Sequence, residues 1–198
     1  MAASEEQDAE FFRPATSMRA RWWASEITEE FVWLKKHRII WFVSRPEKKL
    51  GMMVALGEGR SPLILSGDRG LEGISTVLVE ELGSIPAKLG TDALARIVRW
   101  WSTATRGAIL SPERLRGEMP IVAWLHAADE RIEQLFRRYC APPAFEVRKE
   151  TGAWTLDFFS LPDDGAVRRW HVEGTPRAIR AARSEEVEPA GTFRWPYL

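Results

Sequence analysis

The sequence predicts an α+β protein with two β regions, an N-terminal helix, and a long helix between the β regions. Three observations predict this fold class. Three short apolar runs separated by turn residues lie between His37 and Leu65, and they lead into a helical pattern. A second helical pattern follows Met119, and a second set of β-prone runs follows the helix-breaking Pro142-Pro143 pair.

Composition limits the function classes. The chain has 198 residues, with 28 Lys plus Arg against 28 Asp plus Glu, so net charge favours neither nucleic acid nor anionic lipid as a general partner. A single cysteine, Cys140, excludes an internal disulfide and a cysteine-cluster metal site, which fits the cytoplasm. The longest apolar run, Ile39–Val43, is far shorter than the ~20 residues of a membrane-spanning helix, so we expect no membrane association.

Changes in composition along the chain suggest three parts. Residues 1–14 are acidic and have little to bury, so we predict a disordered tail. Residues 15–117 form the predicted N-terminal α/β subdomain. Residues 118–198 form the predicted helix plus β-hairpin subdomain with an aromatic C-terminus.

The first element of the N-terminal subdomain is predicted to be a helix. From Thr16 onward, apolar residues recur at intervals of four, four and three, which lines one side of a helix. These residues are Trp23, Ile27, Phe31 and Leu34. We expect this helix to cover the sheet that follows.

Three strands are predicted next, forming an antiparallel or mixed sheet. The runs Arg38–Ser44 and Leu50–Leu56 flank a charged, proline-containing connection, and Leu63–Leu65 is too short for a helix. These runs carry few charges. We therefore expect both faces of the sheet to be covered, with helices as the covering elements.

The glycine-rich segment Gly67–Gly73 lies between the third strand and a helix predicted at Ile74–Leu82. Exposed amides at a helix N-terminus bind anions, so one hypothesis is a phosphate-ligand enzyme built around this loop. The spacing matches neither a dinucleotide fingerprint nor a Walker A loop, and Asp68 and Glu72 would repel a phosphate. A strand-to-helix turn capped by Asp68 is the favoured interpretation.

A further helix, predicted from Thr91, begins the region with the strongest local charge imbalance. Residues 96–116 contain five Arg and one acid beside two Trp. Arg96, Arg99 and Trp100 are the candidate binding residues, because Arg can hold phosphates and Trp can stack on bases. This region supports the alternative hypothesis of a nucleic-acid-binding protein, although Arg side chains that cover apolar surface and pair with acids explain it better.

The long helix is predicted over Met119–Cys140. His126, Glu130 and Glu133 share its polar face at metal-ligand spacing, but no second element supplies further ligands. We therefore predict a solvated helix face and no metal or cofactor.

The C-terminal sheet is predicted from three runs, Phe145–Lys149, Trp154–Phe159 and Val167–Val172. Asp164-Gly165 is typical of a two-residue hairpin turn, which would place Phe159 opposite Trp170. The segment Arg177–Arg183 after the sheet is interpreted as a frayed helix or an extended arm.

The chain ends in an aromatic strip in which Phe193, Trp195 and Tyr197 would share one side of an extended segment. Aromatic and Arg residues far outnumber the usual nucleophiles and bases, which does not favour an enzyme. The favoured hypothesis is a non-catalytic cytoplasmic protein-interaction module, or a subunit of a larger assembly. Its partner would be another protein or a second copy of the chain, in preference to nucleic acid.

Overall fold

The computed structural model describes residues 21–45, 51–67, 69–85, 89–104, 107–112, 130–162 and 166–189. Within these ranges the chain forms nine strands, three α-helices and one 3₁₀ turn. In chain order they are β1 (Arg21–Glu26), the 3₁₀ turn (Thr28–Glu30), β2 (His37–Arg45), β3 (Gly51–Gly57), β4 (Leu63–Ile64), α1 (Gly70–Leu82), α2 (Thr91–Thr103), β5 (Gly107–Ile109), α3 (Glu130–Tyr139), β6 (Ala144–Val147), β7 (Trp154–Pro162), β8 (Ala166–Thr175) and β9 (Ala178–Pro189).

The first sheet is antiparallel, with the strand order β1-β2-β3-β4. The three strands expected from the apolar runs are present as β2, β3 and β4. The prediction of a three-stranded sheet is nevertheless wrong, because β1 adds a fourth strand along β2, from Arg21 opposite Arg45 to Glu26 opposite Ile40.

The prediction of an N-terminal helix is also wrong. Ile27 and Phe31 are buried as their spacing suggests, but they reach the core through the 3₁₀ turn that follows β1. The Ile27 amide donates to the Ile39 carbonyl at 2.9 Å, and the Ile39 amide donates to Thr28 Oγ1 at 2.9 Å. Pairing with β2 therefore satisfies the backbone groups that a helix would have bonded internally, and tertiary pairing overrides the local period.

Both faces of β2 and β3 are buried, as their lack of charge predicts. Ile39 and Met53 belong to the main core, whereas Ile40, Phe42 and Val54 form a second apolar cluster on the other face. Adjacent residues of a strand point to opposite faces, so burial of Ile39 and Ile40 together requires cover on both sides.

Helix α1 begins against the first sheet and ends at a left-handed glycine. A Cβ at Gly70 would lie 2.5 Å from the Leu65 carbonyl oxygen, so only glycine allows this close start. Gly83 has a φ of +84°, and its amide bonds to the Val79 carbonyl at 2.8 Å. The N-cap position is Arg69, and the predicted capping residue Asp68 lies outside the described residues.

The second sheet is antiparallel and has the order β5-β7-β8-β9, with β6 pairing β7 alongside β5. The predicted hairpin sheet is therefore too small. The interpretation of Arg177–Arg183 as a frayed helix or arm is wrong, because most of this segment lies in the twelve-residue strand β9. The free edge of β8 supplies backbone partners that outweigh the three-residue Arg spacing.

The predicted register of the β7–β8 hairpin is wrong by one residue. Trp170 lies opposite Phe158, and the two rings stack at 5.7 Å with an interplanar angle of 4°. The strands β7 and β8 are separated by residues 163–165, three residues in place of the expected two-residue turn. A one-residue change moves every side chain to a different cross-strand partner.

Only Glu130–Tyr139 of the predicted helix Met119–Cys140 is described, as α3. His126 and the boundary near residue 117 lie outside the described residues. Residues 1–14 of the predicted tail lie outside them as well.

One apolar core connects the two sheets through α1 and α2. It contains Met53 from the first sheet, Leu78 and Trp101 from the helices, and Trp154 and Val172 from the second sheet. The Ile179 amide of β9 donates to Ser75 Oγ of α1 at 2.8 Å, so a polar contact also ties the second sheet to this helix. Both sheets are therefore stabilised by burial in the same core.

We predict that Gly174→Ala destabilises the fold by about 1–3 kcal/mol. Trp154 packs directly over this glycine, and an added Cβ would lie 2.5 Å from Trp154 Cε2. Urea unfolding of the variant measures the effect. Gly90→Ala is the matched control, because nothing lies within 4 Å of a Cβ built there. Equal stabilities of the two variants would contradict this packing.

Candidate functional site

The predicted nucleic-acid residues lie on α2, and two of the three are buried. Arg99 is 2% exposed and Trp100 is 4% exposed. The guanidinium of Arg96 lies 5.3 Å from the ring centroid of Phe31 and 5.1 Å from that of Trp100. Arg96 also forms an ion pair with Glu30 at 2.5 Å.

These contacts belong to an aromatic cluster between the first sheet and α2. Trp41 packs edge-on against Trp100 at 6.1 Å and donates its Nε1 proton to the Ala104 carbonyl at 2.7 Å. Phe31 packs against Trp101 at 5.1 Å. Edge-to-face rings in this range attract each other, and Arg96 adds a cation–π contact. The tryptophans of this cluster therefore act in packing.

The aromatic C-terminal candidates Phe193, Trp195 and Tyr197 lie outside the described residues. Their proposed binding role stays a prediction.

The glycine-rich segment Gly67–Gly73 forms the entry to α1. Gly67 has a φ of +72°, which supports the predicted turn. Its amide donates to the Ser102 carbonyl at 3.0 Å, and the Gly70 amide donates to the Gly67 carbonyl at 2.9 Å. Two amides that an anion would need are therefore already bonded within the chain.

A buried cluster of charged and titratable side chains lies at the C-terminal end of α1, and the sequence does not predict it. His37, at the start of β2, places Nδ1 2.8 Å from Glu81 Oε1 and Nε2 3.1 Å from Glu80 Oε2. The Glu81 carboxylate also accepts the amides of Lys35 at 2.9 Å and Lys36 at 2.8 Å. No pattern within one segment reveals this cluster, because His37 and Glu81 are 44 residues apart.

The hydrogen bonds around Glu81 determine its ionisation. Burial of the carboxyl raises its pKa, but the hydrogen bonds from His37 and from the two amides outweigh burial and hold the pKa of Glu81 below its usual value of 4.5. Arg60 forms an ion pair with the neighbouring Glu80. The cluster joins α1 to the start of β2, so its contacts stabilise the packing of this helix against the strand.

The outer side of the second sheet is the other polar site. Alternate residues such as Leu156 and Val172 are in the core, so the residues between them face outward. We name these charged outward residues the open face: Asp157, Arg169, His171, Glu173, Arg183 and Glu185. Helix α3 borders the open face, where Tyr139 packs 5.2 Å from Phe159.

His171 lies at the centre of the open face. Its Nδ1 is 3.0 Å from Asp157 Oδ1 and its Nε2 is 3.2 Å from Glu173 Oε1, while Arg183 is its neighbour on β9. The hydrogen bond to Asp157 raises the pKa of His171 above 6.5. Burial opposes this increase, and the hydrogen bond to Glu173 adds to it.

We predict that His171 stabilises the fold in a pH-dependent way. A raised folded-state pKa means that its contribution is fully present below about pH 6.5 and is lost as the pH rises through the folded-state pKa. Urea unfolding of wild type and His171→Asn across this range measures the difference. An NMR titration of the imidazole locates the pKa directly. A stability difference that grew with rising pH would contradict the contact.

Strand β9 forms one edge of the second sheet. It has two bulged residues. Arg180 has no register partner between Ile179 opposite Gly174 and Ala181 opposite Glu173, and Val187 has none between Glu186 and Glu188. Bulges increase local twist, so the regular part of this edge is 181–186.

Among the described residues, no group of three or more His, Cys, Asp or Glu side chains is arranged to hold a metal ion, although His171 has two carboxylate neighbours. No helix in the described ranges combines the length and the apolar character needed to cross a membrane.

Comparisons of the chain with protein-family models, curated proteins and solved structures find no match. Its function must therefore be inferred from the geometry of the open face and of the edge strand β9.

Proposed function

We propose that this chain is a non-catalytic protein-interaction module, or a subunit of a larger assembly, and that its open face binds the partner. The observation that carries this proposal is the composition of that face. Three acidic side chains, two arginines and one histidine lie interspersed on one sheet surface beside an edge strand. A protein surface can complement such a pattern pair by pair.

The alternation of sign favours a protein over nucleic acid as the partner. A polyphosphate backbone requires a surface of one positive sign, and Asp157, Glu173 and Glu185 would repel it. The alternative site on α2 is less accessible, because Trp100 cannot stack on a base without leaving the core.

The phosphate-enzyme hypothesis has less support. The amides of Gly67 and Gly70 already bond to carbonyl groups of the chain. An anion at the start of α1 would have to break these bonds.

The single cysteine supports the cytoplasm as the proposed location. The terminal aromatic strip stays a candidate for a second contact with the partner.

Charge reversal on the open face tests the proposal. The double variant Arg169→Glu/Glu173→Arg keeps the net charge and changes the pattern of the face. The matched control is Arg148→Glu/Glu150→Arg, the same exchange in the exposed turn between β6 and β7. Affinity purification from the native host should recover a partner with wild type and the control, and lose it with the open-face variant.

Two results would contradict the proposal. Equal recovery with both double variants would exclude the open face as the binding surface. Filter binding at two salt concentrations addresses the alternative, because retention of nucleic acid with a steep salt dependence would favour nucleic-acid binding.

A further inference from the structure

We propose that β9 of one copy pairs antiparallel with β9 of a second copy, which joins two five-stranded sheets into one. This inference rests on the proposed function, because it identifies the chain itself as one protein partner. Three features of β9 carry it: an exposed central edge, a self-complementary charge sequence and a regular central segment.

Helices contact both ends of β9, and its middle is exposed. Near the end of the strand, Glu188 accepts hydrogen bonds from Arg138 at 2.6 Å and from the Tyr139 hydroxyl at 2.8 Å, both on α3. Helix α1 covers the start of the strand, where Ser75 Oγ accepts a hydrogen bond from the Ile179 amide. After Ile179, the side chains of Arg180, Arg183 and Glu185 are exposed. Among the described residues, these three side chains make no hydrogen bond or ion pair with one another or with other residues. An unpaired strand edge is a template for another strand.

The charges of β9 divide into a basic half and an acidic half. When Ser184 lies opposite Ser184 of the second copy, Arg183 lies opposite Glu185. The two-fold axis forms this pair twice, and opposite charges at directly facing positions stabilise antiparallel strands. Moving the centre by one residue in either direction would instead place Arg183 opposite Arg183, or Glu185 opposite Glu185.

The same register keeps the pairing within the regular part of the strand. This segment, 181–186, lies between the two bulged residues and contains both Arg183 and Glu185.

Charged side chains and bulges commonly protect an edge strand against association. Charges of a single sign along the edge add repulsion between two copies. The two opposite halves of β9 attract a second antiparallel copy, so this edge is suited to pairing. The two-fold axis would be perpendicular to the sheet, which places both open faces on the same side of the dimer.

A charge-swap series with the full chain tests the dimer. Sedimentation velocity should show a dimer for wild type, and Arg183→Glu should raise the dissociation constant about tenfold or more, because it creates two repulsive pairs with Glu185. Glu185→Arg should do the same. The combined variant Arg183→Glu/Glu185→Arg should restore dimerisation, and Arg148→Glu serves as the single-charge control.

Cross-linking tests the register independently of affinity. In a Cys140→Ser background, Ser184→Cys should form a disulfide-linked dimer on mild oxidation, because the axis passes this residue. Ser25→Cys, an exposed residue of β1, should stay monomeric under the same conditions. A dimer restored by the charge swap but not linked through position 184 would overturn the register.

The dimer and the proposed function can fail separately. A wild-type chain that is monomeric at every accessible concentration overturns the dimer. If it still loses a recovered partner on Arg169→Glu/Glu173→Arg, the interaction module stands. A dimer that the charge swaps leave unchanged also overturns pairing through β9.

Discussion

Replacing Trp101 by Ala is expected to lower the free energy of unfolding by about 3–5 kcal/mol. The side chain is fully buried and lies at the centre of the aromatic cluster, 5.1 Å from Phe31 and 6.1 Å from Trp33 by ring centroids. Its removal leaves a cavity between α2 and the first sheet, where Leu94 and Val98 belong to the same core. Chemical denaturation monitored by circular dichroism measures the loss.

Two further variants define the cause of this loss. Val32→Ala should change stability by less than about 0.5 kcal/mol, because Val32 is 91% exposed. Trp101→Phe should cost less than half of the alanine change, since Phe keeps much of the packing. The change to Phe also removes the buried Nε1 of Trp101, which has no hydrogen-bond partner among the described residues. Equal losses of unfolding free energy for the Phe and Ala variants would contradict this explanation, because they would show that buried volume at position 101 does not determine the stability of the cluster.

The elements that the sequence predicts well are those with strong local signals. β2 and β3 are continuous apolar runs on either side of a charged connection, and α2 carries Leu94, Val98 and Trp101 on one face. In these segments the local pattern and the tertiary environment favour the same structure.

The N-terminal segment and β9 show where local pattern fails. Ile27 and Phe31 are one helical turn apart, yet a 3₁₀ turn after β1 buries both. The Arg residues of β9 recur at helical spacing, yet the edge of β8 pairs with this segment. In both cases distant backbone partners determine the structure, and spacing within one segment does not report them.

The candidate site was less predictable than the fold. Arg96 and Trp100 are candidate binding residues in the sequence. In the structure the core encloses Trp100, and Glu30 pairs with Arg96. His171 lies beside Asp157 only because the β7–β8 register differs by one residue from that of a two-residue turn. The sequence between the two strands contains Asp164-Gly165, and the two-residue turn typical of this pair predicts the other register.

Replacing Glu81 by Ala is expected to destabilise the protein by about 3–5 kcal/mol, the usual cost of removing one partner from a buried pair. The Glu81 side chain is 1% exposed and accepts hydrogen bonds from His37 and from the amides of Lys35 and Lys36. Its loss leaves these three donors without their acceptor at the junction of α1 and β2. Glu58→Ala, in the exposed turn after β3, is the control and should be nearly neutral.

The pH dependence identifies charge as the source of this stabilisation. Because the folded-state pKa of Glu81 is lowered, its ionic contribution is fully present above the unfolded value of 4.5 and disappears as the pH falls through the folded-state pKa. Glu81→Gln keeps a hydrogen-bond acceptor without the charge, so the difference in unfolding free energy between wild type and this variant should shrink towards acid pH. A constant difference from neutral to acid pH would mean that the shape of the side chain, and not its ionisation, secures α1 to β2.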